Sequence, residues 1–111
     1  MLEPRDSQTI KEYLDSLQDI EVSYPHTKTL AVYTVKDVPF AYLETGKQLY
    51  RLSVQTDPQL AKLLREKYEE VSSGYKLNPK FWITIVVSGQ LSINELIALI
   101  NHSYQIALES V

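Results

Sequence analysis

Cysteine is absent from this chain of 111 residues, so disulfides and thiolate chemistry are excluded and zinc would have to rely on His and carboxylates. Histidine is scarce: His26 and His102 form no i, i+4 pair, too little for a metal site unless carboxylates complete it. Gly46, Gly74 and Gly89 are isolated and read as turn punctuation, whereas a phosphate-cradling loop needs clustered glycines before a helix. A basic excess is also missing, since a net charge of -3 and a pI near 5.3 repel phosphate on average. No apolar run approaches the roughly 20 residues that span a bilayer. The start, MLEPRDSQ, goes straight into charged residues with no signal-like apolar stretch. The expectation is a cytoplasmic chain with no cofactor, no metal and no membrane contact.

What is present suits one folded domain over residues 1–111. A chain of this size buries roughly two thirds of the surface its unfolded form exposes. With 44% hydrophobic and 23% charged residues it falls in the ordinary globular range, so a core is expected without staples.

Periodicity predicts the elements. Ile10, Tyr13, Leu14 and Leu17 repeat at helical spacing behind Asp6 and Ser7, predicting a first helix over about 7–18. LAVYTV, VPFAYLET and QLYRLSVQT are β-branched and aromatic runs parted by Lys36-Asp37 and Thr45-Gly46, which reads as a three-stranded meander. Pro39 cannot donate a ladder hydrogen bond, so its strand begins there or lies on an edge. Asp57 caps and Pro58 opens a second helix, with Leu60, Leu63, Leu64, Tyr68 and Val71 as its stripe. SSGYKLNPK is a loop, FWITIVV a central strand, and Ser92 with Glu95 the capping box of a last helix. Ile93, Leu96, Ile97, Ile100, Tyr104, Ala107 and Leu108 share one face of that helix. Leu99 and Ile106 lie outside it, to be covered by a neighbour or to form a small protein-contact patch. The order α-βββ-α-β-α predicts a two-layer α+β domain with helices on one face of an antiparallel sheet.

Charge is unevenly placed. Residues 1–23 carry two basic and six acidic side chains, whereas 24–56 and 72–94 each carry a net +2. If the positive pieces are strands, an acidic helical layer stands behind a mildly basic, open sheet face. Strand alternation sets Tyr50, Leu52 and Val54 against Leu49, Arg51 and Ser53, and Ile83 and Ile85 against Trp82 and Thr84. If the first member of each set meets the helices, Arg51 and Trp82 look outward together near Lys47, Lys76 and Lys80. An aromatic and an arginine on an open sheet can hold a nucleic acid strand. The alternative is that Trp82 packs half-buried beneath the 72–80 loop.

Catalysis has no named player. His102 and Ser103 are consecutive on a helix and point about 100° apart. Acidic pairs such as Glu66 and Glu70 read as a solvated helix face.

LAKLLREKYEEV, then LNPKFWITIVV and GQLSINELIALINHSYQIAL, resembles the C-terminal half of the MmcQ/YjbR family of small bacterial proteins. The carriers are an L-N-K-x-x-W-like segment and a Ser-Tyr pair, here Leu77, Asn78, Lys80, Trp82, Ser103 and Tyr104. VKDVPFAYLETGKQLYRLSVQTDPQLA resembles its central meander, so the likeness covers about residues 30–108. The resemblance implies a two-layer fold likened to double-wing DNA-binding domains, and a DNA-binding role by that analogy.

Together these lead to a non-catalytic binding module, holding DNA weakly through Lys47, Arg51, Lys76 and Lys80 with Trp82 on the same face. Four phosphate contacts imply a salt slope of about -3.6, so binding should be salt-sensitive. The competing expectation is a protein-interaction domain, a monomer or weak homodimer that self-associates through Leu99 and Ile106 or an adaptor that uses the aromatic sheet face. A third class is a small-molecule binder or enzyme with a pocket of convergent polar groups.

Overall fold

The computed structural model describes residues 4–74 and 77–110. Its elements run α1 (Pro4–Asp15), β1 (Ile20–Ser23), β2 (Leu30–Val35), β3 (Val38–Glu44), β4 (Arg51–Gln55), α2 (Pro58–Lys67), β5 (Val71–Ser72), β6 (Trp82–Val86) and α3 (Ile93–Glu109). The strands form one antiparallel sheet in the order β1-β2-β3-β4-β6-β5, with the helices packed on one face. The fold is therefore the α+β class the patterning predicts. Among the described residues, no helix is long and apolar enough to cross a membrane.

Pairing register explains the core. One row crosses the sheet as Tyr33, Ala41, Val54 and Ile83, and the next as Ala31, Leu43, Leu52, Ile85 and Val71. All of these side chains are buried, because period-2 alternation turns them toward the helices. α3 lies across β2, β3 and β4 and contributes Leu96, Leu99, Ile100 and Ala107 to the same core. Burying a leucine- or isoleucine-sized side chain contributes about 1.5–3 kcal/mol each, so these rows dominate the stability of the domain.

Helix starts follow their caps. The Asp57 carboxylate accepts from Leu60 N at 2.9 Å, with Pro58 in the first turn. At α3 the Ser92 hydroxyl accepts from Glu95 N at 3.1 Å, while Glu95 accepts from Ser92 N at 2.9 Å.

Three local features differ from the periodicity. The sheet gains β1 and β5, whose few residues carry too little alternation to stand out. α1 stops at Asp15 because the Ser16 hydroxyl bonds back to Tyr13 O at 2.6 Å and Asp19 turns the chain at φ 59°. α2 stops at Lys67, so Val71 leaves the helical stripe and pairs with Ile85 instead. Pro39 is tolerated in β3 because β4 pairs only from Ala41 onward, and a bulge sets Thr34 opposite Pro39.

Candidate ligand cleft on the sheet face

The face of the sheet turned from the helices is not the bare, positive surface that the charge distribution suggests. Its central row runs Val32, Tyr42, Ser53 and Thr84, and the row beside it runs Leu30, Glu44, Arg51 and Val86. Glu44 thus stands directly opposite Arg51, and the local charge is close to balanced. Val32 and Ser53 are only 6% and 8% exposed, so protein covers part of this face.

Two loops provide the cover and leave a cleft of about 590 Å³ between them. The floor is Leu30, Tyr42, Glu44, Arg51, Ser53 and Thr84. His26 and Thr27 from the β1–β2 loop form one wall, and Leu77 from the β5–β6 loop forms the other. That volume falls within the range of about 300–1,000 Å³ that suits small ligands.

Each wall is tied down. In the β1–β2 loop the Thr27 hydroxyl accepts from Leu30 N at 3.2 Å, and Thr45 N donates to Thr29 O at 2.8 Å. In the β5–β6 loop the Asn78 carbonyl accepts from Trp82 N at 2.9 Å and the Asn78 side chain accepts from Lys80 N at 3.0 Å. Arg65 of α2 donates to Pro79 O at 2.8 Å, fastening the outer turn. Gly74 comes so close to the sheet that a Cβ there would lie 2.7 Å from the Thr84 hydroxyl oxygen.

The polar groups of the floor are unequally engaged. Hydrogen bonds from the Thr29 hydroxyl and from Gly46 N, the latter at 2.8 Å, together with the nearby Lys47 and Arg51 charges, hold the Glu44 carboxyl below its ordinary range. The Ser53 and Thr84 hydroxyls bond each other at 2.7 Å. Burial pushes the Tyr42 phenol up, so its hydroxyl keeps its proton at neutral pH. The Arg51 side chain is half-buried and, among the described residues, makes no hydrogen bond or ion pair.

The fold recurs in known proteins. A YjbR family model matches residues 15–106. The chain belongs to the YjbR family. Over 74 residues it is 34% identical to the uncharacterized protein YjbR of Escherichia coli K12, a match spanning 67% of this chain and 63% of that relative. It is 23% identical to the uncharacterized protein YbdF of Escherichia coli O157:H7 over 94% of this chain and 85% of that one. The crystal structure of Deinococcus radiodurans protein DR2400, described as a DUF419 domain, superposes with a TM-score of 0.84 at 24% identity over 96% of this chain and 81% of its own. A Pseudomonas syringae protein superposes with a TM-score of 0.76 at 24% identity, covering 90% of this chain and 97% of its own. Both structural likenesses concern the fold.

Within this YjbR-family chain the residues singled out from sequence do not all meet. Arg51 lines the cleft. Trp82 shares its face but stands outside the cleft, half-buried, with its ring edge-on to Tyr42 at 5.5 Å. It pairs with Gln55, four residues and therefore about 13 Å along β4 from Arg51. Lys47 is exposed in the β3–β4 turn, and the Lys80 ammonium lies over the Phe81 ring at 5.7 Å. Lys76 falls outside the described residues.

On the helical side, Leu99 is buried at 9% exposure, largely covered by its neighbours. It lines a shallow groove of about 190 Å³ with Leu60 and Leu64 of α2. Ile106 is half-buried. His102 is exposed, as its helical phase predicts, and His26 stands on the cleft wall. Sequence reasoning missed Tyr42 and Glu44. A signal was available: alternation along VPFAYLET sets Tyr42 and Glu44 on the face opposite Ala41 and Leu43, though only the pairing register brings Glu44 across from Arg51.

Proposed function

We propose that this chain is a non-catalytic cytoplasmic binding module whose working surface is the loop-walled cleft on the sheet. The observation that carries the reading is Arg51: a guanidinium that makes no hydrogen bond or ion pair among the described residues, half-buried in a concave and mainly apolar site, is available to a ligand. The chemistry of the floor favours binding over catalysis. Arg51 cannot accept a proton, Glu44 is held ionised by its own turn, and the Ser53 and Thr84 hydroxyls bond each other rather than a base. The test is a titration of the isotope-labelled chain with small aromatics, neutral and carboxylated, such as indole, phenol and benzoate, followed by amide chemical shifts. Shifts gathered at Leu30, Ser53, Leu77 and Thr84 are expected; shifts spread elsewhere, or none, would refute the cleft as the working surface.

A second reading, weak DNA binding, is favoured by the shared facing of Arg51 and Trp82 with Lys47 and Lys80 beyond them. Three such phosphate contacts would give a salt slope of about -2.7, so the complex would need low salt. Glu44 beside Arg51 weighs against it. Fluorescence anisotropy with labelled duplex and single strands decides: no binding at low salt, or binding untouched by Arg51→Ala and Lys80→Ala, ends this reading.

A further inference from the structure

Resting on the reading of the cleft as a binding site, we infer that its ligand is a compact monoanion with a flat apolar body, an aromatic or alicyclic monocarboxylate. The argument starts from charge. Arg51 and Glu44 face each other across β3 and β4, and Glu44 stays ionised because Thr29 and Gly46 hydrogen-bond to it. The pair is neutral, so the charged side chains lining the cleft carry no excess positive charge to match a second or third negative one. What remains is the geometry of the guanidinium, a planar fork of N–H donors that matches one carboxylate through two parallel hydrogen bonds. A phosphate monoester, carrying nearly two charges at neutral pH, would meet the same fork but also the Glu44 carboxylate.

The rest of the lining fits such a molecule. Leu30 and Leu77 stand on the floor and the far wall, and the Tyr42 ring is fixed edge-on against Trp82. Together they offer a slot for a ring system, which gains about 25 cal/mol for each Å² of apolar surface removed from water. The protonated Tyr42 hydroxyl makes no hydrogen bond among the described residues and adds a neutral donor. A cavity of about 590 Å³ admits a one- or two-ring acid with room for water.

The experiment uses three matched probes, 2-naphthoate, 2-naphthyl phosphate and 2-naphthol, titrated into the isotope-labelled full chain at neutral pH. Naphthoate is expected to bind most tightly, moving the amides of Ser53 and Thr84. Arg51→Met should weaken naphthoate about tenfold or more, the scale of hydrogen bonds to a charged group, with Arg51→Lys in between. Glu44→Gln should narrow the gap between naphthoate and naphthyl phosphate, a readout that a merely structural Glu44 would not move. Naphthol or naphthyl phosphate binding as tightly as naphthoate overturns the inference while leaving the cleft itself in use. If none of the three moves cleft amides but indole does, the inference again falls alone. If no probe touches the cleft, both fall. The ranking of the three probes on the unaltered chain decides even where a variant does not fold.

Discussion

The Ser103 hydroxyl donates to the Phe40 carbonyl at 2.6 Å and accepts from Gln55 N at 2.9 Å, joining the middle of α3 to two strands at once. Phe40 is the residue left out of register at the β3 bulge, so its carbonyl has lost its ladder partner and Ser103 replaces it. The neighbouring Tyr104 packs edge-on to Phe40 at 5.3 Å and donates to Gln18 O at 2.8 Å. The Ser-Tyr pair that carries the family resemblance is thus a structural clamp. Ser103→Ala leaves one part-buried N–H and one buried C=O unpaired, and should cost about 1–3 kcal/mol in urea unfolding. A loss well under 1 kcal/mol would mean that water reaches those groups.

The β2–β3 hairpin is strained in a way that a substitution can relieve. Lys36 and Asp37 form its two-residue turn with φ of 50° and 67°, the left-handed conformation that suits strand twist but disfavours side chains. Asp37→Gly should therefore stabilise the domain by about 0.5–1 kcal/mol, since aspartate tolerates this region better than most residues. An unchanged or lowered urea midpoint would show that the Asp37 side chain contributes something the turn geometry does not reveal.

How much of this could be read from the chain alone follows the strength of the local signal. β2, β3, β4, β6 and α3 were legible because several apolar residues repeat at one period, as in Ile83 and Ile85 or Ile93, Leu96 and Ile100. β1 and β5 were not, because IEVS and VS are held mainly by the strands beside them, as Val71 is by Ile85. At the site, alternation placed Arg51 and Trp82 on one face but gave no distance between them. The cleft depends on loops closing over that face, and loop closure rests on contacts such as Gly74 on Thr84 that leave no periodic trace. Segment charges misled for a similar reason: they count Glu44 and Lys47 together without saying that only Glu44 faces the cleft.

Glu44 should announce itself in acid. Its carboxyl titrates lower in the folded chain than in the unfolded one, through Thr29, Gly46 and the nearby positive charges. The resulting stabilisation is complete above the unfolded value of about 4.3 and is lost as pH falls through the lower folded value. Glu44→Gln removes that dependence while keeping an acceptor for Gly46 N. The unaltered chain should exceed the variant in urea midpoint at pH 6–7, with the gap closing steadily below about pH 4.3. A gap constant from pH 7 to 3 would mean that the glutamate acts through packing rather than charge.

Gly74 controls how closely the β5–β6 loop lies on the sheet, and therefore whether Leu77 can serve as a wall. An added Cβ would sit 2.7 Å from the Thr84 hydroxyl oxygen and 2.8 Å from Leu77 Cδ1, nearer than side chains pack. Thr84 is anchored to Ser53, so the loop rather than the strand should yield. Gly74→Ala is expected to cost about 1–3 kcal/mol as an overpacking change and to speed hydrogen exchange at Leu77, Phe81 and Trp82, whose N–H groups hold the loop turn. Trp82, the only tryptophan, should report the opening as a red shift in fluorescence. Exchange rates unchanged in the loop but raised in β6 would place the give in the strand, and with it the cleft floor rather than its wall.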